Sequence, residues 1–458
     1  MFNFNYSFGL LIDTCFLLNM KEIKMRYFLY SVVLVSMLYT AMGHNEENMY
    51  QAADNLPESG KEPRYLLYDV NPGEGFNLRR DVYMRVANLV KFLNEDEPWV
   101  LVLPPWGRMY HWQSRNIAAQ VKIPWSHFFD INSLAQLIPV MEFEDYVKKV
   151  ESPHVDEVYY LQRYKEGWSG KWEEKMKICE CVDESRYRLD KAGKKWRGQF
   201  FGYENFYAKQ FHCMSAQANY LTLKPFLMKN TTARSVFLDR AETMIHGQYS
   251  EWSPVWWTAR RSMVFSKRLR AIGDTFRKEN FNSDDVTDKT EFEVWTQMKR
   301  KHGDAKGGDY GALHLRRKDY LFSHTKEVPS LPFAAKQIAK YLDTYKLKKL
   351  FLATDAKPEE ADEFKKIMAD MGYQVYRYTP TTTDELESLK DGGVAIIDQW
   401  ICAHARFFVG SYVSTFTFRI HEEREILGFS QTATYNRLCG DEEPKDCEQP
   451  SKWDIKFE

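Results

Sequence analysis

Tyr310-Gly311-Ala312-Leu313-His314-Leu315, Lys349-Leu350-Phe351-Leu352-Ala353, Gln374-Val375-Tyr376 and Phe407-Phe408-Val409-Gly410 are short apolar runs, separated by helical patterns over Leu331 to Tyr345, Lys357 to Met371 and Val394 to Ala405. Strand and helix alternating at this spacing predict a parallel, doubly wound sheet. Sheets of that kind bind ligands beyond the carboxyl ends of their strands. The residues that follow each run are therefore the candidates for function.

The first run leads into His314-Leu315-Arg316-Arg317-Lys318-Asp319, where three cations and an imidazole stand at a strand end. An arginine fork binds phosphate oxygens two at a time. The competing reading is a solvated basic turn neutralised by Asp319. After Phe407 to Gly410 comes Ser411-Tyr412-Val413-Ser414-Thr415-Phe416-Thr417, in which Ser414 or Thr415 is placed to cap the helix carrying Arg419 and His421. Helix N-termini of this type serve as ordinary caps or as phosphate sites. Asp398 lies inside the apolar helix around Val394-Ala395-Ile396-Ile397, and a carboxylate in that setting needs a partner, either a buried Arg or the amine of a nucleobase.

The first half repeats the strand and helix pattern less regularly. Tyr65 to Val70 reads as a strand and Trp99 to Leu103 as a second, buried one. Between them Val82, Val86, Leu89, Val90 and Leu93 recur at helical spacing, with Asn77 as the expected cap. The connecting loop, Asn71-Pro72-Gly73-Glu74-Gly75-Phe76-Asn77, brackets a carboxylate with two glycines. Glycine admits close backbone approach or positive φ, so Glu74 is presented to a ligand or, on the plainer reading, caps a helix. Trp106, Tyr110, His111 and Trp112 form an aromatic excursion after Pro104-Pro105, and the polar stretch from Phe281 to Gly308 suggests a crossing or a surface insertion.

At 458 residues and 44% hydrophobic the chain can bury two cores, because single cores stop growing near ~250–300 residues. A formal net charge of -1 argues against binding nucleic acid through a global field. Met25-Arg26 followed by the apolar run Tyr27 to Leu38 and the small residues to Gly43 reads as a leader cleaved after Gly43, with Met25 as an alternative start. A signal anchor is the rival, but the run is shorter than the ~20 residues a span requires, so no stable membrane span is expected. In a secretory chain the seven cysteines invite pairing. Cys439 and Cys447 flank a short polar turn and pair naturally, Cys179 and Cys181 compete for Cys213, and Cys402 is expected as a buried free thiol. Asn230-Thr231-Thr232 is a glycosylation acceptor. No phosphate-loop, Gly-x-Ser-x-Gly or His-Glu-x-x-His motif is present, nor an Asp-x-Asp that would chelate a metal against a diphosphate. Cations and helix N-termini would have to neutralise a leaving diphosphate instead.

Taken in order, Tyr68-Asp69-Val70-Asn71-Pro72-Gly73-Glu74-Gly75-Phe76-Asn77, Leu103-Pro104-Pro105-Trp106-Gly107-Arg108, His314 to Asp319, Asp391-Gly392-Gly393 through Trp400 and Ser414-Thr415-Phe416 closely resemble the GDP-fucose protein O-fucosyltransferases that modify thrombospondin type 1 repeats. The resemblance runs from Arg64 nearly to the C-terminus. It implies an α/β GT-B fold of two facing Rossmann-like domains, divided as a 1–43 leader, a flexible 44–62 segment, a 63–270 base and acceptor domain and a 271–458 nucleotide domain. It further implies an inverting enzyme of the endoplasmic reticulum lumen that takes GDP-β-L-fucose as donor and a Ser or Thr of a folded repeat as acceptor, with no cofactor and no obligatory metal. By position, Glu74 matches the catalytic base, and Gly73, Gly75, Phe76 and Asn77 its donor-contacting loop. His314, Leu315 and Arg316 match the diphosphate segment, Asp398 a nucleotide-binding aspartate, and Ser414, Thr415 and Phe416 the segment at the nucleotide. Cys181 with Cys213 and Cys439 with Cys447 match the disulfides, leaving Cys179 as an extra thiol. The competing functions are transfer to EGF-like repeats or N-glycan cores, and a non-catalytic lumenal quality-control binder on the same fold.

Overall fold

The computed structural model of the chain describes residues 62–150, 152–164, 173–182, 186–244, 252–292, 294–444, 447–449 and 453–458. The expected leader and nearly all of the 44–62 segment lie outside these residues. Among the described residues no helix is long and apolar enough to cross a membrane.

The first strand, β1 (Arg64–Tyr68), is buried along Tyr65 to Tyr68, and β2 (Trp99–Leu103) along its whole length. Continuous apolar runs of this type suit parallel strands covered on both faces. With β3 (Val140–Glu142), β4 (His154–Gln162), β5 (Lys175–Cys179), β6 (Arg188–Asp190), β7 (Lys195–Arg197), β8 (Tyr207–Gln217) and β9 (Ser235–Asp239) they build a nine-stranded sheet of order β3-β2-β1-β9-β4-β8-β7-β6, with β5 also on β8. The pairs from β3 to β8 are parallel, whereas β5, β6 and β7 join as antiparallel ribbons. The long excursion between β4 and β9 is thus a sheet extension.

The second sheet follows the expected alternation closely. It contains β10 (Gly308–Leu315), β11 (Lys349–Thr354), β12 (Gln374–Tyr376), β13 (Ala405–Val409) and β14 (Thr434–Tyr435), all parallel, in the order β12-β11-β10-β13-β14. A Cβ on Gly311 would lie 2.3 Å from the Phe407 ring on the neighbouring strand, so glycine is required there for the strands to pair with that ring between them. Leu313, Leu315, Ile338, Leu350, Leu352, Phe364, Phe407 and Val409 fill one core, while Tyr65, Leu67, Val100, Val102, Tyr146 and Phe237 belong to another. Two sheets with separate cores are the arrangement expected.

Several helices carry the junction. Helix α1 (Phe76–Leu93) follows β1, α2 (Pro254–Ser262) and α3 (Lys267–Phe281) connect the sheets, and α4 (Leu331–Thr344), α5 (Pro358–Asp370), α6 (Thr383–Ala403) and α7 (Thr415–Leu427) belong to the second half. Because α3 packs against α6, the expected division at 270 falls inside a helix of the second half. Buried Arg260 of α2 binds Glu422 at 2.6 Å and Glu423 at 2.9 Å on α7, and Arg419 reaches Glu422 at 3.1 Å and Asp81 of α1 at 3.6 Å. Buried pairs of this kind cost desolvation but penalise any other docking, because a misplaced helix leaves a bare charge inside.

Two local expectations are corrected. The helix read from Val394 starts earlier, at Thr383, because the Thr382 hydroxyl accepts from the Glu385 N–H and caps a polar first turn; a kink with Lys390 at φ 61° then precedes the apolar part. The Phe281 to Gly308 stretch is not a simple surface insertion. Phe281, Trp295 and Met298 are buried, and the buried Arg277 guanidinium gathers Asp274, Asp285 and Asp288 around itself. Charges that satisfy one another locally look solvated in a sequence and are interior in the fold.

Candidate active site

In the first sheet the strand order reverses around β1, with β2 on one side and β9 on the other. That switch point is where Glu74 stands, on the loop leaving β1. Its N–H donates to the Asn71 carbonyl at 2.9 Å, and its own carbonyl accepts from Arg79 Nε at 3.0 Å, so the loop is a closed turn. Burial raises the Glu74 carboxyl above its ordinary value, and the neighbouring Glu242 charge adds to this against Arg79, Arg85 and Arg163. A half-buried carboxylate with raised proton affinity suits a general base. Neither Gly73 nor Gly75 has a positive φ. What Gly75 provides is proximity, since a Cβ there would lie 3.1 Å from the His111 ring.

Helix α1 begins at Phe76 with Gly75 as its N-cap and no side-chain cap bond. Asn77 is therefore not the cap. Its side-chain oxygen accepts from Gln399 Nε2 of α6 at 2.9 Å and from Arg80 Nη1 at 3.2 Å, and Arg80 Nη1 also donates to Gln399 Oε1 at 2.8 Å. Asn77 thus fastens the Glu74 loop to the other half. The Phe76 ring is buried among Trp106, Trp112, Phe128 and Phe129, and so serves as a floor for the loop. Trp106 is equally buried, whereas Tyr110 of the same aromatic excursion is 54% exposed.

In the second sheet the order reverses between β10 and β13. Arg316 stands just past β10. Its N–H donates to Ser411 Oγ at 2.9 Å, while its guanidinium binds Asp355 and Asp319 and lies 5.2 Å from the Tyr320 ring centroid. The fork is oriented by these two carboxylates. Buried His314 lies 2.8 Å from Thr417 Oγ1 and stacks on Phe416 at 4.4 Å. Burial first, and then Arg316, push His314 down to about 3, so its ring is neutral. Leu315 sits in the core and offers no side chain to a ligand. Arg317 is buried against Glu360 and the Pro329 carbonyl and is structural.

Ser414 is the N-cap of α7, yet its side chain makes no capping bond, so the expected cap is absent and the first N–H groups stay open. Thr417 one turn on is tied down, accepting from the Ser411 N–H at 3.0 Å. Thr415 is exposed and Phe416 partly buried at the same helix start. Val413, a β-branched residue, has φ 41° beside this terminus. Strained conformations of this sort are kept where surrounding structure enforces them. Asp398, on α6, has a buried Oδ1 with no hydrogen-bond partner, and burial pushes its carboxyl up to about 8 against the opposing charge of Arg377. A buried acceptor of that type is met by an ordered water or by a donor from a ligand.

Tyr110 and His111 connect the two switch points. Tyr110 feels the charges of Glu74, Arg316 and Asp319, while His111 packs on Gly75 and feels Arg316, Asp319 and Lys318. Burial and those cations lower His111 to about 4. The sequence did not single out His111 as a site residue, nor Asp355, Glu242, Gln399 and Arg80. Asp355 directly follows β11, so the strand-end rule already pointed at it. The others are placed by contacts distant in sequence and carried no local signal.

Cys181 is bonded to Cys213 and Cys439 to Cys447, as the resemblance implied. Cys179 faces Cys213 in strand register but is free, as is buried Cys402. Asn230 is exposed at a helix end, where a glycan can be accommodated. Among the described residues, His302, Glu425 and Asp454 are close enough to share a cation, but Glu425 Oε2 already accepts from His302 Nε2 and from the Ile455 N–H.

The family model for GDP-fucose protein O-fucosyltransferase matches residues 65–427. The chain is 53% identical over 408 residues to GDP-fucose protein O-fucosyltransferase 2 of Homo sapiens, covering 89% of this chain and 93% of that protein. It is 44% identical over 420 residues to the protein of the same name in Caenorhabditis elegans, covering 90% and 95%. The crystal structure of POFUT1 in complex with GDP-fucose superposes with a TM-score of 0.54 at 16% identity over 82% of this chain and 98% of that one, which establishes the GT-B fold. With two switch points holding a carboxylate and an arginine fork, and relatives this similar over most of its length, the chain belongs to the GDP-fucose protein O-fucosyltransferase family and is a glycosyltransferase.

Proposed function

We propose that the chain transfers fucose from GDP-β-L-fucose, with inversion, to a Ser or Thr hydroxyl of a folded thrombospondin type 1 repeat in the lumen of the endoplasmic reticulum. Glu74 takes the proton of the acceptor hydroxyl as its oxygen attacks the anomeric carbon. The bond to the GDP oxygen breaks on the opposite face. Arg316 and the open N–H groups at the start of α7 receive the charge that grows on the β-phosphate. Asp398 accepts from the base edge of the guanine, and Asn77 with Gln399 holds the halves in register. The neutral His314 ring and Phe416 border the phosphate site, and the reaction uses no metal or cofactor.

The observation that carries this reading is the meeting of the two switch points, in which Tyr110 and His111 lie within the fields of Arg316 and Asp319 and against the Glu74 loop. This proximity supports reading Glu74 as a base from one sheet that works with Arg316 as a phosphate clamp from the other. The deciding experiment offers labelled GDP-fucose with a folded thrombospondin repeat, the same repeat reduced, and a folded EGF-like repeat. Label is expected only on the first. Transfer to the EGF-like repeat alone would reassign the acceptor, and turnover on none of the three, with GDP still bound, would favour a binding protein.

A further inference from the structure

The turn after β9 is built to reach back under the base loop. Arg240 takes a left-handed conformation, φ 60° and ψ 43°, which a non-glycine residue adopts only at some cost. The Ala241 N–H then donates to the Asp69 carbonyl at 2.9 Å, pinning the turn to the end of β1. This swings Glu242 toward the loop, where its Oε2 accepts from the Asn71 N–H at 3.1 Å. The Asn71 carbonyl in turn accepts from the Glu74 N–H at 2.9 Å. The Glu242 carboxylate is itself held by Arg240 Nε at 3.4 Å, and its backbone carbonyl by Arg85 Nη1 at 3.1 Å.

We propose that Glu242 is a positioning residue for fucose transfer, its carboxylate fixing the Asn71 to Glu74 turn through the backbone and setting a second negative charge behind the base. The proposal rests on Glu74 being the general base. The charged and titratable groups facing Glu74 are Glu242 from the β9 turn, Arg79 and Arg85 from α1, Arg163 beyond β4, and Tyr110 from the aromatic loop. Glu242 also adds to the fields at Asp69 and Asp239, the part-buried carboxylates at the ends of β1 and β9. Of the groups facing Glu74 in its own half, the three arginines favour its ionised form and Glu242 opposes them. A nearby like charge makes a carboxylate a stronger base, and a stronger base takes the acceptor proton more readily near neutral pH. A residue that merely braced the turn would do so equally well as an amide.

The test compares Glu242→Gln, Glu242→Ala and Glu74→Gln in the full chain, reading kcat and KM for GDP-fucose across pH together with GDP affinity and thermal unfolding. Glu242→Gln keeps an oxygen for Asn71 and removes the charge. It is expected to move the acid limb of kcat to lower pH and to lower the plateau roughly threefold to tenfold, with donor KM and GDP affinity unchanged. Glu242→Ala loses the tether as well and is expected to fall further in kcat. If Glu74→Gln is inactive while the acid limb of Glu242→Gln coincides with that of the unaltered protein, the role of Glu242 is overturned and the base assignment stands. If Glu74→Gln keeps its turnover, the base assignment falls and this inference with it.

Discussion

Gln399 donates from Nε2 to the Asn77 side-chain oxygen at 2.9 Å, joining the first turn after the base loop to the helix that carries Asp398. The same oxygen serves Arg80, whose buried guanidinium lies 5.0 Å from the Phe265 ring centroid and leaves Nε and Nη2 without partners. Removing the shared acceptor therefore takes one bond from Gln399 and one from a cation that has few. Asn77→Ala is expected to cost ~1–3 kcal/mol and to raise donor KM, because an unsatisfied buried group pays its full desolvation. Asn77→Asp keeps an acceptor and gives Arg80 a counter-charge, so it should lose less. Denaturant unfolding and donor kinetics of the two variants check this, and equal losses would refute it.

Glu74→Gln is expected to bind GDP normally and to lose transfer by ~10²–10⁴-fold, the range usual for general base catalysis. Since burial and Glu242 raise the Glu74 carboxyl, its ionised, basic form is lost as pH falls through a value above the ordinary carboxylate range. The kcat profile should therefore decline on its acid side at a pH higher than a free glutamate gives. Rates of the unaltered enzyme from acid to neutral pH, with repeat integrity verified at each point, measure it.

Arg316 is held by Asp355 and Asp319 across its fork, so the charge that would meet a leaving diphosphate is oriented before the donor arrives. Arg316→Lys keeps the charge but not the fork and should still be impaired, while Arg316→Ala is expected to lose ~10²–10³-fold in kcat and to weaken GDP binding. Chelators are expected to leave turnover intact. Reversible loss of activity on metal removal would place a cation where this account puts a guanidinium.

Four of the five strands of the second sheet were legible as short runs alternating with helices, and the strand-end rule then led from β10 to Arg316 and from β13 to Ser414; β14, only Thr434 and Tyr435, is too short to leave a pattern. In the first sheet only β1 and β2 were read from the sequence; β3, β4, β8 and β9 went unread, and β5 to β7 are an antiparallel extension in which polar residues alternate without marking a core. At the candidate site, chain position brought segments together but did not say which side chains face the ligand side: Leu315 and Phe76 stand beside His314 and Gly75 in sequence yet turn into cores, because adjacent residues on a strand or helix face different ways. Asn77 looked like a cap and instead spans the two halves. His111, Gln399 and Glu242 come from loops and helices far along the chain from the groups they serve, and periodicity carries no information about such pairings.

Gly392 shows how close that pairing is. A Cβ added there would lie 2.7 Å from Phe128 Cζ and 2.7 Å from Trp112 Cζ2, so α6 approaches the aromatic floor closer than any side chain permits. Trp112 shares its loop with His111, and α6 carries Asp398 and Gln399. Gly392→Ala is expected to cost ~1–3 kcal/mol through overpacking, and to weaken GDP binding by displacing Asp398 from the cleft. Unfolding together with GDP titration tests both, and an alanine variant with unchanged GDP affinity would show that the approach matters for packing alone.

Asp398 gives the sharpest pH prediction. Its Oδ1 has no protein partner and burial pushes its carboxyl up to about 8, so without nucleotide the protonated form is favoured at neutral pH. A guanine edge presents N–H donors, which a carboxylate accepts and a carboxylic acid meets less well, so bound nucleotide favours the ionised form and lowers its proton affinity. Binding GDP below pH 8 should then release a proton from this residue, and GDP affinity should climb with pH until about 8 and level off above it. Calorimetry of GDP binding at pH 7 in buffers of different ionisation enthalpy reads the proton directly. Asp398→Asn is expected to abolish the release and to weaken binding, whereas a buffer-independent enthalpy in the unaltered protein would mean that Asp398 does not change its protonation when the nucleotide arrives.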